Sequence, residues 1–201
     1  MNMQARPLDW ESEFLELLAK MDSAIHRQKN EQRKLKMVRY QTLFASGGWM
    51  GLRAKEMLNL SWHEVVGKTE NSFFQFKQGK KRKIYFSKNF IDYMDRNYSI
   101  IAPTNIRYLI LHKEGDPLAP VSSTQFNNEL KKYANKFGLG TDQVSSHTFR
   151  KTFMQKLWVE LGGDERAYLT VGKMMGYADK TQVMDYLGHT DRDIKEAIIK
   201  F

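Results

Sequence analysis

The hydrophobic pattern of this chain changes period in its first half, and this change narrows the folds that it can form. Residues 9–26 carry apolar side chains at the spacing of an amphipathic helix, and the pattern is mostly helical again from Thr124 to the end. Between them, residues 72–77 and 83–87 are short, aromatic-rich and strand-like, with a hairpin turn predicted at 78–81. We therefore expect an α+β, mostly α fold, in which a small antiparallel hairpin packs on a helical core.

Caps, glycines and prolines predict where the helices begin and end. Asp9 is expected to cap the first helix, and Gly47-Gly48 to end the second. Ser146 is expected to cap a later helix, which Gly162-Gly163 ends. Residues 103–120 hold three of the four prolines and are expected to form a loop. Further helices are predicted near residues 88–98, 165–175, 180–187 and 191–200.

The composition excludes several classes of protein. A chain of 201 residues with 41% hydrophobic residues fits one domain with a sizeable core. Because the chain has no cysteine, it holds neither a disulfide framework nor a cysteine-based metal site. No apolar run approaches the roughly 20 residues of a membrane span, and the first residues do not resemble a signal peptide. We expect a soluble, cytoplasmic protein that does not enter the membrane.

The net charge of +9 favours a polyanionic partner, most simply nucleic acid, although a basic and well-solvated surface without a partner is the alternative. Five of the seven positions from Lys77 to Lys83 are basic. We expect this segment to contact the DNA backbone without sequence specificity. The candidate DNA-binding residues are Lys80, Lys81, Arg82 and Lys83, with Lys131 and Lys132 on the predicted helix near 127–137.

His147 and Arg150 form the most informative pair of polar residues. Three positions apart, they share one face of a helix, and both lie near its predicted N-terminus. Exposed backbone N–H groups and the positive end of the helix dipole favour an anion there, and a planar guanidinium binds two phosphate oxygens at once. The alternative is structural: Arg150 pairs with a carboxylate and His147 serves as a polar cap residue.

Three other segments contain candidate catalytic residues, but none of them indicates a catalytic site on its own. Arg53 follows Gly51-Leu52 and shares a helix face with Glu56, so a structural ion pair explains them equally well. Lys77 stands where the first strand enters the hairpin turn, and a lysine there can donate a proton to a leaving oxygen. Tyr186 lies among apolar residues, as a core tyrosine would, but tyrosine also serves as a covalent nucleophile.

In order along the chain, these elements resemble the tyrosine recombinases, the phage-integrase-like site-specific recombinases. That family has a Gly-Leu-Arg turn, a lysine on a hairpin, a His-x-x-Arg helix, a Leu-Gly-His-like turn and a tyrosine beyond it. The matching elements here are Gly51-Leu52-Arg53 with Glu56, Lys77, His147-Thr148-Phe149-Arg150, Met175-Gly176-Tyr177, and Tyr186 nine residues after Tyr177. The resemblance covers nearly the whole chain and implies the fold of the family's catalytic domain.

The resemblance also implies how the site works. Arg53 and Arg150 would clamp the scissile phosphate, while Tyr186 attacks the phosphorus and forms a 3′-phosphotyrosine. Lys77 would protonate the leaving 5′-hydroxyl, and His147 would help to deprotonate the nucleophile or bond to the phosphate. No metal and no other cofactor would be needed.

Two supporting positions qualify this scheme. Tyr177 stands where the family usually has histidine and sometimes tryptophan, and its hydroxyl would donate a hydrogen bond to the phosphate. His189 is a weaker candidate for that role, because it lies beyond the nucleophile. Glu56 would orient its neighbours rather than touch DNA.

The implied partner is double-stranded DNA, on which the chain would form a homotetramer; in isolation, without DNA, a monomer is compatible with the resemblance. The family usually carries an N-terminal core-binding domain, but only residues 1–52 precede Arg53, so we expect 1–201 to be a single catalytic domain without it. Residues 188–201 would form a helix that docks on a neighbouring protomer or packs on its own domain. The predicted function is DNA integration and recombination for a mobile element or a resolution system; the alternatives are a type IB-like topoisomerase and a catalytically impaired DNA-binding accessory protein.

Overall fold

The structure is a computed structural model that describes residues 5–75, 79–140, 144–176 and 183–184. Within these ranges the helices are α1 (Glu16–Arg27), α2 (Glu31–Met50), α3 (Ala54–Leu58), α4 (Lys88–Ile101), α5 (Ser123–Lys136), α6 (Ser146–Glu160) and α7 (Glu165–Met175). The strands are β1 (Glu70–Gln75), β2 (Lys80–Tyr85), β3 (His112–Lys113) and β4 (Asp116–Pro120). They form two separate antiparallel hairpins, β1–β2 and β3–β4, so the predicted mostly helical α+β fold is confirmed.

The first helix begins as the sequence predicts. The Asp9 carboxylate accepts a hydrogen bond of 2.8 Å from the backbone N–H of Ser12, which satisfies one of the free donors at the start of a helix. A wider π-helical turn, Trp10–Leu15, leads directly into α1, whose apolar face is buried. The amphipathic pattern therefore specifies both the capping residue and the buried face.

The prediction that Gly47-Gly48 ends the second helix is wrong, because α2 continues through both glycines to Met50. A Cβ atom on Gly47 would lie 2.7 Å from atoms of both Met57 and Phe149, and one on Gly48 would lie 2.2 Å from an aromatic ring. The two glycines therefore allow neighbouring segments to pack closely against α2. The helix ends instead at Gly51, which adopts a left-handed conformation with φ of 61°.

The predicted first hairpin is confirmed, with a register that runs from Glu70 opposite Tyr85 to Gln75 opposite Lys80. Lys80 and Lys81 lie in β2 rather than in the turn. The loop predicted at 103–120 is wrong in part, because this segment contains the β3–β4 hairpin. Its prolines are tolerated because a two-stranded ladder leaves one side of each strand without hydrogen bonds to another strand.

Most of the buried aromatic residues belong to one core around α2. Phe44 of α2 stacks on Phe149 of α6 with ring centroids 4.9 Å apart, so these two helices pack directly on each other. A smaller cluster joins α6 to α7 through Met154, Val171 and Met175. The helices predicted near 180–187 and 191–200 lie outside the described residues, apart from the helical pair Val183 and Met184. In the ranges that the structure describes, no helix combines the length and the apolar character that crossing a membrane requires.

Candidate active site

Arg53 is held at the start of α3 by Glu56. The Glu56 carboxylate accepts hydrogen bonds from the Arg53 backbone N–H at 2.9 Å and from its Nη1 at 3.1 Å. Glu56 is buried, with 6% of its surface exposed, while the Arg53 side chain keeps 18% of its surface accessible. The structural ion pair considered from the sequence is therefore formed, and it fixes the direction of the arginine without occupying all of its donors.

Arg150 enters the same region from α6 and is completely buried. Its Nη1 donates to the carbonyl oxygen of Gly51 at 2.5 Å, and its Nη2 donates to the carbonyl oxygen of Met175 at 3.1 Å. A buried guanidinium is tolerated when such acceptors replace the water that it loses. These two bonds go to the main chain rather than to the carboxylate of the structural alternative.

The two arginines meet at Met175, the last residue of α7. Arg53 Nη2 lies 3.4 Å from the Met175 carbonyl oxygen, the same atom that accepts the bond from Arg150. The adjacent Gly176 ends α7 in a left-handed conformation with φ of 71°. Three segments that are remote in sequence therefore converge, as the ordered motifs require.

His147 lies in the first turn of α6, one turn before Arg150, and is exposed. Desolvation by the surrounding protein lowers the pKa of His147 below its ordinary value, and the charges of Arg150, Lys151 and Arg53 lower it further. The imidazole is therefore neutral near pH 7, the form that accepts a proton.

The N-terminus of α6 differs by one residue from the prediction, since Ser145 rather than Ser146 is the capping residue. The Ser145 hydroxyl accepts from the His147 backbone N–H at 3.3 Å. Ser146 is buried instead, and its backbone N–H donates to the side-chain oxygen of Asn127 at 2.9 Å. Adjacent serines have equal intrinsic capping ability, so the contact with α5 distinguishes them.

Arg82 occupies a different place from the one predicted for it. The sequence predicts an exposed side chain that contacts DNA, but Arg82 faces inward and keeps only 7% of its surface exposed. Its Nη2 donates to the carbonyl oxygen of Met50 at 3.0 Å, and its Nη1 approaches the Met175 sulfur at 3.1 Å. Strand alternation gives the signal that would have found it, because Arg82 shares a face with the buried Ile84 and Phe86.

The other predicted DNA-binding residues lie on the surface. Lys80, Lys81 and Lys131 are exposed. Lys83 pairs with Glu70 at 2.7 Å, and Lys132 pairs with Glu129 at 2.7 Å. Exposed ion pairs of this kind are weak, so these lysines stay accessible to a polyanion.

Several predicted site residues lie outside the described residues: Lys77, Tyr177, Tyr186, the alternative His189 and the docking segment 188–201. Their roles stay predictions. Across the described ranges, the structure brings together Arg53, Glu56, His147 and Arg150, and it contains no group of three or more His, Asp or Glu side chains with metal-binding geometry.

Residues 12–193 match the model of the phage integrase family. This chain belongs to the phage integrase family. The family that the ordered motifs predict is thereby confirmed.

The fold is shared with solved structures of tyrosine recombinases. The XerH site-specific recombinase bound to palindromic difH substrate has a TM-score of 0.69 at 16% identity, over 98% of this chain and 53% of that chain. The XerA recombinase has a TM-score of 0.67 at 16% identity, over 98% of this chain and 64% of that one. The catalytic domain of bacteriophage HP1 integrase has a TM-score of 0.52 at 19% identity, over 97% and 94%.

These similarities show the fold of the tyrosine recombinase catalytic domain. This chain spans about half the length of the XerH protein, at 53%, and nearly the whole HP1 catalytic domain. A search among curated proteins found no significant match.

Proposed function

We propose that this chain is the catalytic domain of a site-specific DNA recombinase that cleaves and rejoins DNA through a 3′-phosphotyrosine intermediate. The observation that carries the proposal is the convergence of Arg53 and Arg150 on the Met175 carbonyl oxygen, with His147 one turn before Arg150. Two guanidinium groups at one point suit the non-bridging oxygens of a phosphodiester, where charge develops during substitution at phosphorus.

The reaction is a substitution at phosphorus. The Tyr186 hydroxyl oxygen attacks, the bond from phosphorus to the 5′-oxygen breaks, and a 3′-phosphotyrosine forms. The tyrosine proton passes to His147, which its lowered pKa keeps neutral and able to accept it. Lys77 donates a proton to the departing 5′-oxygen, and Tyr177 donates a hydrogen bond to the phosphate.

Rejoining is the reverse reaction. The 5′-hydroxyl oxygen of another strand attacks phosphorus, and the bond from phosphorus to the Tyr186 oxygen breaks. Lys77 takes up the proton of the attacking hydroxyl, and His147 returns a proton to the tyrosine oxygen. The energy of the cleaved bond is kept in the phosphotyrosine, so the exchange consumes no nucleotide.

Arg53 and Arg150 have different parts in this scheme. Arg53 is partly accessible and already oriented by Glu56, so it can meet an incoming phosphate directly. Arg150 is fully buried, so its contact with a phosphate oxygen requires neighbouring groups to move when DNA binds. The bonds to the Gly51 and Met175 carbonyl oxygens hold the guanidinium in place, and this movement would exchange part of its hydrogen bonds for bonds to the phosphate.

DNA is the proposed partner, bound as duplex by a homotetramer. The net charge of +9 and the exposed lysines Lys80, Lys81 and Lys131 support contact with a phosphate backbone. The XerH structure that shares this fold is bound to its difH substrate, which makes duplex DNA the natural first ligand to test.

The deciding experiment traps the covalent intermediate. A pool of nicked duplexes with randomised sequence around the nick is incubated with the protein, so that the fragment beyond the nick diffuses away and cleavage cannot reverse. Adducts are separated on a denaturing gel and sequenced, which also reports the target site. We expect an adduct with the parent chain and none with Tyr186→Phe, although both bind DNA equally.

The other outcomes separate the alternatives. An adduct that persists in Tyr186→Phe would exclude this tyrosine as the nucleophile. DNA binding without any adduct from the parent would indicate an accessory DNA-binding protein. Relaxation of supercoiled plasmid that lacks every recovered target sequence would favour a topoisomerase.

A further inference from the structure

We propose that Arg82 is a positioning residue for Arg150, and that it acts by fixing the two main-chain segments to which Arg150 binds. The inference rests on the proposed function, because it assigns Arg82 a part in the same phosphate site. The contacts that support it belong entirely to described residues.

Arg82 contacts both segments that hold Arg150. Its Nη2 donates to the carbonyl oxygens of Met50 at 3.0 Å and Gly51 at 3.5 Å. Its Nη1 donates to the Met175 sulfur at 3.1 Å. Arg150 binds the carbonyl oxygens of Gly51 and Met175, so the Gly51 oxygen is shared by the two arginines and Met175 contacts both.

The backbone of Arg82 is itself fixed. It lies in β2 opposite Phe73, and its side chain points to the buried face of the hairpin, as Ile84 does two residues later. One end of the side chain is therefore anchored by the β1–β2 ladder, and the other end joins the last turn of α2 to the end of α7. A planar guanidinium is suited to this task because its donors diverge in a rigid fork.

The burial of Arg82 argues against a role in stability alone. Burying a guanidinium is costly, and a well-packed apolar side chain of similar volume usually serves stability at least as well. The next two inward-facing residues are indeed apolar: Ile84 lies in β2, and Phe86 directly follows the strand. What arginine adds at position 82 is directed bonds to Met50, Gly51 and Met175.

The test compares Arg82→Met, which keeps an unbranched side chain, with Arg82→Lys, which keeps the charge. Arg107→Met, at an exposed arginine, is the matched control. We expect adduct formation on the recovered duplex to fall about 100-fold in Arg82→Met, since a displacement of about 1 Å can have this effect. Arg82→Lys should remain about 10-fold slower than the parent, because a single ammonium lacks the fork geometry. Duplex affinity should change less than about 3-fold in both.

A modified substrate distinguishes positioning from general support of the fold. Replacing the scissile phosphate by a neutral methylphosphonate removes the negative charge that Arg150 would neutralise, so loss of Arg150 should matter less on it. If Arg82 acts through Arg150, the deficits of Arg82→Met and Arg150→Ala both shrink on this substrate. An Arg82→Met deficit of equal size on both substrates would overturn the inference.

A crystal structure of Arg82→Met supplies a readout that does not depend on activity. We expect Arg150 to lose its bond to Gly51, to Met175 or to both, while the fold is retained. If Arg150 keeps both bonds, the inference fails, whether or not the parent chain cleaves DNA. A parent without activity would instead contradict the proposed function alone.

Discussion

Arg53 and Arg150 donate hydrogen bonds to one atom, the carbonyl oxygen of Met175, at 3.4 Å and 3.1 Å. One arginine directly precedes α3, the other lies in α6, and the acceptor ends α7. The two differ in environment, because Arg150 is fully buried while the Arg53 side chain keeps 18% of its surface exposed. This difference separates their expected effects on stability.

Arg53→Ala and Arg150→Ala should each lower the rate of adduct formation about 10²- to 10³-fold, because each removes a preorganised donor from the developing charge. Arg150→Ala should also lower the free energy of unfolding, by about 3 kcal/mol and by more than Arg53→Ala, because it empties the space of a fully buried side chain and removes the shorter hydrogen bond at the Gly51 and Met175 carbonyl oxygens. Single-turnover cleavage and urea denaturation measure the two effects. Equal stability of the two variants would contradict the burial argument.

The rate of adduct formation should rise with pH through the pKa of His147, which lies below the ordinary value of about 6.5. The rate rises rather than falls with pH because the neutral imidazole, which accepts the proton, forms as the pH increases. The same lowered pKa means that the unfolded chain binds more protons in this window, so the free energy of unfolding falls as pH drops through it. His147→Gln should remove both dependences, and the exposed His63→Gln should keep them. A pH profile of His147→Gln that matches the parent would exclude this role.

Gly51→Ala should lower the free energy of unfolding by about 2–4 kcal/mol, from backbone strain and overpacking together. Gly51 has φ of 61°, and an added Cβ would lie 2.4 Å from the Phe153 ring. Gly67→Ala is the control, because Gly67 has φ of 67° but no atom within 4 Å of the added Cβ. It should lose only about 1–2 kcal/mol. Thermal denaturation of both variants measures the difference, and equal losses would show that the space around Gly51 adjusts.

Removal of residues 191–201 should abolish assembly on DNA if this segment docks on a neighbouring protomer. The stripe of apolar residues at Ile194, Ala197, Ile198 and Phe201 is the basis of this expectation. Size-exclusion chromatography with light scattering, with and without the recovered duplex, measures the oligomer. If the truncated chain assembles as the full one does, the segment packs on its own domain or has no part in assembly.

Local patterns predicted most of the elements because their causes are local. Asp9 caps the first helix through a neighbour three residues away, and the apolar spacing after it specifies the buried face. The β1–β2 hairpin follows from strand alternation on both sides of a turn. Two of the errors have different causes. Gly47-Gly48 permit close packing rather than ending α2, which is a tertiary effect, whereas the β3–β4 ladder has too few residues for a clear period.

The order of Gly51-Leu52-Arg53, His147-x-x-Arg150 and Met175-Gly176 along the chain is enough to predict the family. It also left Arg53 and Arg150 with equally good structural explanations, because a side chain's partners lie on other elements. The fold brings both arginines to the Met175 carbonyl oxygen and turns Arg82 inward to the same residue, and no pattern along the chain predicts these contacts. The physical reason is that a motif gives only the types and spacing of residues along the chain. Burial and hydrogen bonding depend on which distant segments the core brings together.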